Sequence, residues 1–414
     1  MNARIEGHEF RQEWPRLLAA MLGNATGVGA ILYYSMSSFM LPLEEEFGWS
    51  RSDMGLAVSC LVVGWIVSMP VVGAICDKFG PRWPILVCIP LLSAVLFYLP
   101  YLNGSLTQLY VVFFFAALLG SGTLGVSYIA AVSPAFVANR GLAYGLTLAG
   151  TGVSAALLPI GLHQLISQFD WRFAWQVLGV VVLAQWPIAY LCIRPYRTKR
   201  SERVLVPLST QGHTLRQALT SVNFWLLAGA FLFVALLLSG LLINLIPLLT
   251  ESGMRRDQAA AATAGVGVGL LFARVFVGYL LDRFPARIVA VLSFGIAALG
   301  CVMLTGDSPQ LAAAGALFLG FTVGSELDLL AYMTARYFGE RAHASIYSAS
   351  LSVFYVGAII APLLVGEIYA HSQSYDLVLH AAVGSCAVAS VLIGLMGPYP
   401  EWNARQITAM ETDK

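Results

Sequence analysis

Twelve largely apolar stretches follow one another along this chain, each close to or above the roughly 20 residues that a bilayer-crossing helix needs. They run 17–43, 54–76, 84–103, 107–134, 142–167 and 173–194, then 223–250, 258–281, 288–305, 310–335, 344–370 and 376–397. Lipid offers no hydrogen-bond partner to a backbone N–H or C=O, so such stretches can fold only as membrane helices that satisfy their own backbones. Composition supports this reading. Of 414 residues, 58% are apolar and 11% charged, against about a quarter charged in soluble proteins. The expected fold is an all-α polytopic membrane protein with 12 transmembrane helices, and the bilayer is its first partner.

The basic residues give an orientation, because loops on the cytoplasmic side collect Lys and Arg. With the N-terminus inside, 18 of the 23 Lys and Arg residues fall in cytoplasmic segments. Only Arg51, Arg172, Arg255 and Arg256 fall outside, and Arg274 lies within a span. Both termini are expected to be cytoplasmic, and the short loops suit an inner (cell) membrane. The acidic start, with Glu6, Glu9 and Glu13, does not resemble a signal peptide, so the first span is expected to be retained.

The longest polar stretch divides the chain into a six-span bundle over 1–194, a linker over 195–222, a second bundle over 223–397 and a tail over 398–414. Linker and tail are too short for an output domain, which disfavours a sensor. A formal charge of +1 gives no reason to expect a nucleic-acid partner. The six cysteines are scattered without disulfide or metal-ligand spacing, and the histidines are dispersed. No nucleotide-binding G-x-x-x-x-G-K-[ST] pattern occurs. No enzyme activity, metal or cofactor is therefore expected.

The two halves repeat. Gly73-Ala-Ile-Cys-Asp77-Lys78-Phe79-Gly80-Pro81-Arg82 returns 205 positions later as Gly278-Tyr-Leu-Leu-Asp282-Arg283-Phe284-Pro285-Ala286-Arg287. Tyr144 and Pro159 in the fifth span are matched by Tyr347 and Pro362 in the eleventh. Pseudo-symmetry of this kind places a substrate site between the halves near the bilayer midplane. The pattern of Gly73, Asp77, Lys78, Gly80 and Arg82 resembles the loop signature of the major facilitator superfamily, and the second copy departs from it at Pro285. The resemblance implies a transporter of two six-helix bundles, working as a monomer. In it the motif residues Gly73, Asp77, Lys78, Arg82, Gly278, Asp282, Arg283 and Arg287 form a charged latch that breaks as the halves rock. The alternative is ordinary positive-inside topology with a tight turn.

Ionisable residues inside a membrane are expensive, and each is a functional candidate. Arg274 precedes Asp282 by eight positions, about 12 Å up its helix and close to mid-bilayer. A guanidinium can grip a carboxylate with two parallel hydrogen bonds. Asp328 precedes Arg336 by the same interval, which puts it at similar depth, and Glu326 points to another side of that helix. At most one of the two acids is expected to face Arg274. The pair could be a permanent tie between two helices, or it could open when a substrate carboxylate takes the arginine and the acid takes a proton. His163 and His380 are expected to be satisfied histidines, and Glu367 lies near the outer end of its span.

Gly267-Val-Gly-Leu-Leu-Phe-Ala-Arg274 resembles the eighth-helix segment of monocarboxylate transporters and of oxalate/formate antiporters. The resemblance implies that Arg274 binds substrate carboxylate. Animal monocarboxylate carriers have an aspartate where this chain has Leu270, and a first-helix lysine where Tyr33-Tyr34-Ser35-Met36-Ser37-Ser38 has none. The antiporters add an eleventh-helix lysine, and this chain has Ser350, Ser352, Phe354 and Tyr355 there. One cation favours a monocarboxylate, with Asp328 or Glu326 as proton carrier. Further lining candidates are Tyr34, Tyr128, Asn244, Tyr332 and Tyr355, since tyrosine offers an apolar wall and one hydroxyl. Gly145, Gly150 and Gly152 form a small-residue face, and Pro159, Pro247 and Pro362 are expected to kink their spans. The expected function is proton-coupled transport of a small organic anion by rocker-switch alternating access. The alternatives are anion exchange and efflux of neutral or cationic compounds.

Overall fold

The protein is described by a computed structural model covering residues 2–193, 212–251, 253–306 and 308–400. Arg194 and most of the expected linker, with Arg197, Lys199, Arg200 and Arg203, lie outside the described residues, as do Arg405 and Lys414 of the tail. The first half comprises α1 (Asn2–Ala25), α2 (Val28–Phe47), α3 (Arg51–Phe79), α4 (Arg82–Tyr98), α5 (Leu106–Gly120), α6 (Gly125–Val132), α7 (Arg140–Gln168) and α8 (Trp171–Cys192). After the short α9 (Leu215–Leu219), the second half comprises α10 (Val222–Ile243), α11 (Leu245–Glu251), α12 (Arg256–Leu281), α13 (Ala286–Leu304), α14 (Pro309–Phe338), α15 (His343–Ser372) and α16 (Asp376–Leu395).

Twelve of the helical stretches are long and apolar enough to span a membrane, as the sequence predicts. Several run past the predicted edges. At 30 residues each, α14 and α15 are about 45 Å long and protrude beyond a hydrocarbon core of roughly 30 Å. The first span, Glu9–Phe47, is broken at Thr26-Gly27, and the fourth, Leu106–Val132, is broken by a 3-10 turn at Ser121–Thr123. The two breaks dock on each other. Thr123 Oγ1 accepts from the Val28 amide (2.9 Å) and donates to the Gly120 carbonyl (2.7 Å), while a Cβ on Gly27 would collide with the Thr123 carbonyl oxygen. Irregular backbone at this depth is tolerable because protein covers it.

Helices α7 and α15 continue through Pro159 and Pro362, and the seventh span breaks at Asn244, three residues before Pro247. Pro70 has no N–H to offer the Ile66 carbonyl four residues earlier, and Ser352 of α15 fills that place (3.1 Å). Trp186 Nε1 does the same for the Leu86 carbonyl freed by Pro90 (3.0 Å). A proline-freed carbonyl in the first half thus becomes a hydrogen-bond acceptor for the second.

Small residues set the helix seams. On α12 and α14, a Cβ on Gly269 would strike the Leu317 carbonyl, on Gly320 that of Val266, and on Gly324 that of Leu270. Between the halves, Gly145 of α7 lies on the Arg274 carbonyl, Gly141 and Gly278 lie on each other, and Gly73 of α3 lies on Ser348 and Ala344 of α15. The predicted small-residue face of α7 is split: Gly145 and Gly152 meet α12, while Gly150 meets Met21 of α1. Overpacking such a seam costs about 1–3 kcal/mol. Gly145→Leu is therefore expected to push α7 off α12 and part the two halves along this seam. Spin labels at the exposed Val137 and Arg341 should then report a longer distance than in the parent protein.

Candidate functional site

The two loop motifs sit at one end of the bundle, where they join the halves. Asp77, at the end of α3, accepts from the backbone amides of Ala344 (3.1 Å) and Ser345 (2.8 Å) and from the Ser345 hydroxyl, at the start of α15. Asp282, at the end of α12, accepts from the amides of Gly141 (2.6 Å) and Leu142 (2.9 Å), at the start of α7. Each half thus presents a carboxylate to a helix N-terminus of the other, where four amides lack intrahelical partners and the helix dipole is positive. Burial, the larger influence, raises the Asp282 carboxyl above its ordinary value, while the Leu142 and Gly141 amides pull it down.

Among the described residues no motif cation forms a salt bridge with these acids, although Arg283 lies within electrostatic reach of Asp282. Arg82 donates to the Tyr190 carbonyl (2.8 Å) and covers the Tyr190 ring, Arg283 covers Tyr279, Arg287 donates to the Met396 carbonyl (2.7 Å), and Lys78 lies over Phe79. The salt bridge across the halves comes instead from Arg140 and Glu340 (2.8 Å), and Glu340 also accepts from Ser133, itself held by the Tyr144 hydroxyl (2.7 Å). Glu9 accepts from the amides of Val137, Ala138 and Asn139, which fixes the loop leading into α7. The described hydrogen bonds between the halves run from this end only as far inward as Ser352. This end is closed.

At mid-span, Arg274 of α12 is 2% exposed and Asp328 of α14 is fully buried. One bond joins them, from Arg274 Nη1 to Asp328 Oδ1 at 3.3 Å, while Arg274 Nε and Asp328 Oδ2 have no partner. A guanidinium carries five N–H donors, so this pairing leaves it under-satisfied. Asp328 is the acid that faces Arg274. Glu326, 8% exposed, makes no hydrogen bond among the described residues and lies within electrostatic reach of Arg274. Tyr34 of α2 reaches both Arg274 and Glu326, and Tyr355 of α15 reaches Arg274, Glu326, Tyr34 and Tyr33. Tyr33 is 43% exposed although it sits in the middle of its span. Tyr33, Ser37 and Leu41 are all exposed and recur at four-residue steps, so they form one exposed stripe along α2.

A family model described as Major Facilitator Superfamily matches residues 25–255 and 232–409. The chain belongs to this superfamily. The protein named monocarboxylate transporter 11 from Mus musculus is 28% identical over 335 residues, covering 77% of this chain and 72% of that one. The protein named 4-hydroxybenzoate transporter PcaK from Pseudomonas aeruginosa is 25% identical over 395 residues, covering 87% of each. Among solved structures, the major facilitator transporter FucP in the outward conformation matches with a TM-score of 0.70 at 14% identity, covering 92% of this chain and 98% of that one. The chain is thus a multi-pass membrane transporter of the major facilitator fold, a family of non-enzymes.

Of the expected lining residues, Tyr34 and Tyr355 lie within electrostatic reach of Arg274. Tyr128 is buried within the first half against Gly23. Asn244 closes α10 and donates to its own Gly240 carbonyl (2.9 Å), and no contact with Arg274 is described. Tyr332 lies near the closed end, among Arg336, Asp282 and Arg140. His163 and His380 are exposed, and Glu367 pairs with His371 (2.9 Å) at the surface. Trp65 of α3, missed in the sequence, packs on Tyr33 and Tyr355 with ring centroids 6.2 and 5.6 Å away. Glu9 and Glu340 were also missed, since single acids near span ends carry no pattern. Removing a helix cap costs about 1 kcal/mol, or roughly a fivefold population shift. Asp282→Ala should raise the open fraction at this end by about that factor, read by solvent labelling of Ala143→Cys.

Proposed function

We propose that this chain is a secondary transporter of a small monocarboxylate, moved with protons by rocker-switch alternating access, with Arg274 as the ligand of the carboxylate. The observation that carries the reading is the half-satisfied Arg274 guanidinium, buried at mid-span between the two halves. Sealing a lone cation away from water costs several kcal/mol, and a bound carboxylate removes that penalty. Occlusion is then favoured when cargo is present, which is the differential stabilisation that alternating access requires. The names of relatives that carry monocarboxylates and 4-hydroxybenzoate support an organic acid as cargo.

The proton enters through the acids. In the empty carrier Asp328 holds Arg274; protonating Asp328 releases the arginine for cargo, so proton and anion bind with positive coupling. Glu326 is the second candidate proton carrier, because its carboxylate is the less buried and has no hydrogen bond. Residues 1–194 and 223–397 are the two rocking bodies, joined by the linker 195–222. The basic residues support a cytoplasmic motif end, cytoplasmic termini and an inner-membrane location, with the monomer as the working unit. Anion exchange is the second reading, favoured by the same Arg274 chamber without a proton step.

Arg274→Lys keeps the charge but loses the two-pronged geometry. In proteoliposomes with an inward proton gradient, it should lose at least about tenfold in monocarboxylate uptake. Asp328→Asn should still bind the acid yet lose the pH dependence of uptake. Unchanged pH dependence in that variant, and in Glu326→Gln, would leave exchange as the better reading.

A further inference from the structure

We propose that the cargo is an aromatic monocarboxylate, its carboxylate on Arg274 and its ring held among Tyr34, Tyr33, Trp65 and Tyr355. The inference rests on the monocarboxylate reading above and narrows it. Tyr34 and Tyr355 flank the charged end of the chamber, both within electrostatic reach of Arg274. From there the rings continue away from the charge. Tyr34 meets Tyr33 at 5.4 Å, Tyr33 meets Trp65 at 6.2 Å, and Trp65 meets Tyr355 at 5.6 Å. The four rings form an arc that starts and ends beside the arginine and is drawn from α2, α3 and α15, so both halves contribute.

The interplanar angles along this arc are 83°, 37° and 57°. No ring in it lies flat on its neighbour, so faces and edges remain for a guest. Aromatic pairs prefer edge-to-face or offset contacts with centroids 4.5–7 Å apart, and tilted walls of this spacing suit a flat ring better than a chain of two or three carbons. Tyr33, 43% exposed, is the open side of the arc, and Trp65, only 3% exposed, backs it from within the helix packing. A small aliphatic acid would reach the arginine and leave most of this surface uncovered. The arc also links cargo to motion, because Trp65 and Tyr355 touch across the halves and a ring bound between them engages both bodies at once.

The test compares acids of like size with and without a π-face, using the full chain in proteoliposomes. Labelled benzoate is taken up alone, then against cyclohexanecarboxylate and against propionate as competitors. Benzoate is expected to half-saturate at about tenfold lower concentration than cyclohexanecarboxylate, the scale of one or two good ring contacts. Trp65→Leu and Tyr355→Leu should bring the two values together, and Trp65→Phe should keep the preference, which separates loss of the ring from loss of the fold. Equal half-saturation in the parent protein, or a preference that survives both leucine variants, overturns the aromatic inference. Uptake of propionate without benzoate sinks it while leaving the monocarboxylate reading intact. If no acid is taken up by folded protein and Arg274→Lys changes nothing, both fall together.

Discussion

A single buried cation organises this transporter. Arg274 sits where water is scarce and a charge is costly, and it has only one long hydrogen bond to an acid. The surroundings are built to hold it there. The glycine seam between α12 and α14 lets the two backbones approach until Asp328 can reach across. On the opposite side, the Arg274 carbonyl lies directly on Gly145 of the other half. The side chain therefore pairs with Asp328 inside its own half while its backbone is part of the seam against the other half.

That joint follows one face of α12. Arg274, Gly278 and Asp282 are spaced one turn apart, and they meet Gly145, Gly141 and the α7 amides in turn. Charge, close packing and helix cap are thus aligned along a single rigid element. A change in the company Arg274 keeps is placed to be felt two turns away at the cap, with no need for a longer path through the protein. The pseudo-symmetric contact on α3 and α15 repeats the scheme, with Gly73 in the seam and Asp77 on the amides of Ala344 and Ser345.

The gate at the motif end is a set of modest interactions. A carboxylate on a helix start is worth about 1 kcal/mol, because water offers the same amides and carboxylates nearly equivalent partners once the halves part. Two such caps and a salt bridge from Arg140 to Glu340 can be made and broken by the free energy of binding one small ion. A gate locked by a buried, fully desolvated charge cluster would be harder to open. The motif cations instead lie on aromatic rings and carbonyls around the rim.

The sequence by itself determined the twelve spans, the two-fold repeat, and Arg274 and Asp328 at matching depth. These follow from local rules: apolar length against bilayer thickness, and the rise per residue of a helix. It left open which acid faces the arginine, since two residues two apart on a helix point apart and only the docking of α12 on α14 selects Asp328. Nor did it tell Tyr34 and Tyr355, which lie within electrostatic reach of Arg274, from Tyr128, buried inside the first half, and Tyr332, near the closed end, because all four are tyrosines in apolar spans. Trp65, Glu9 and Glu340 left no trace in the pattern, as their roles depend on residues far away in the chain. Spans are fixed by each helix meeting lipid, which a sequence records locally. The chamber and the gate are fixed by helix meeting helix, and only the tertiary structure brings those surfaces together.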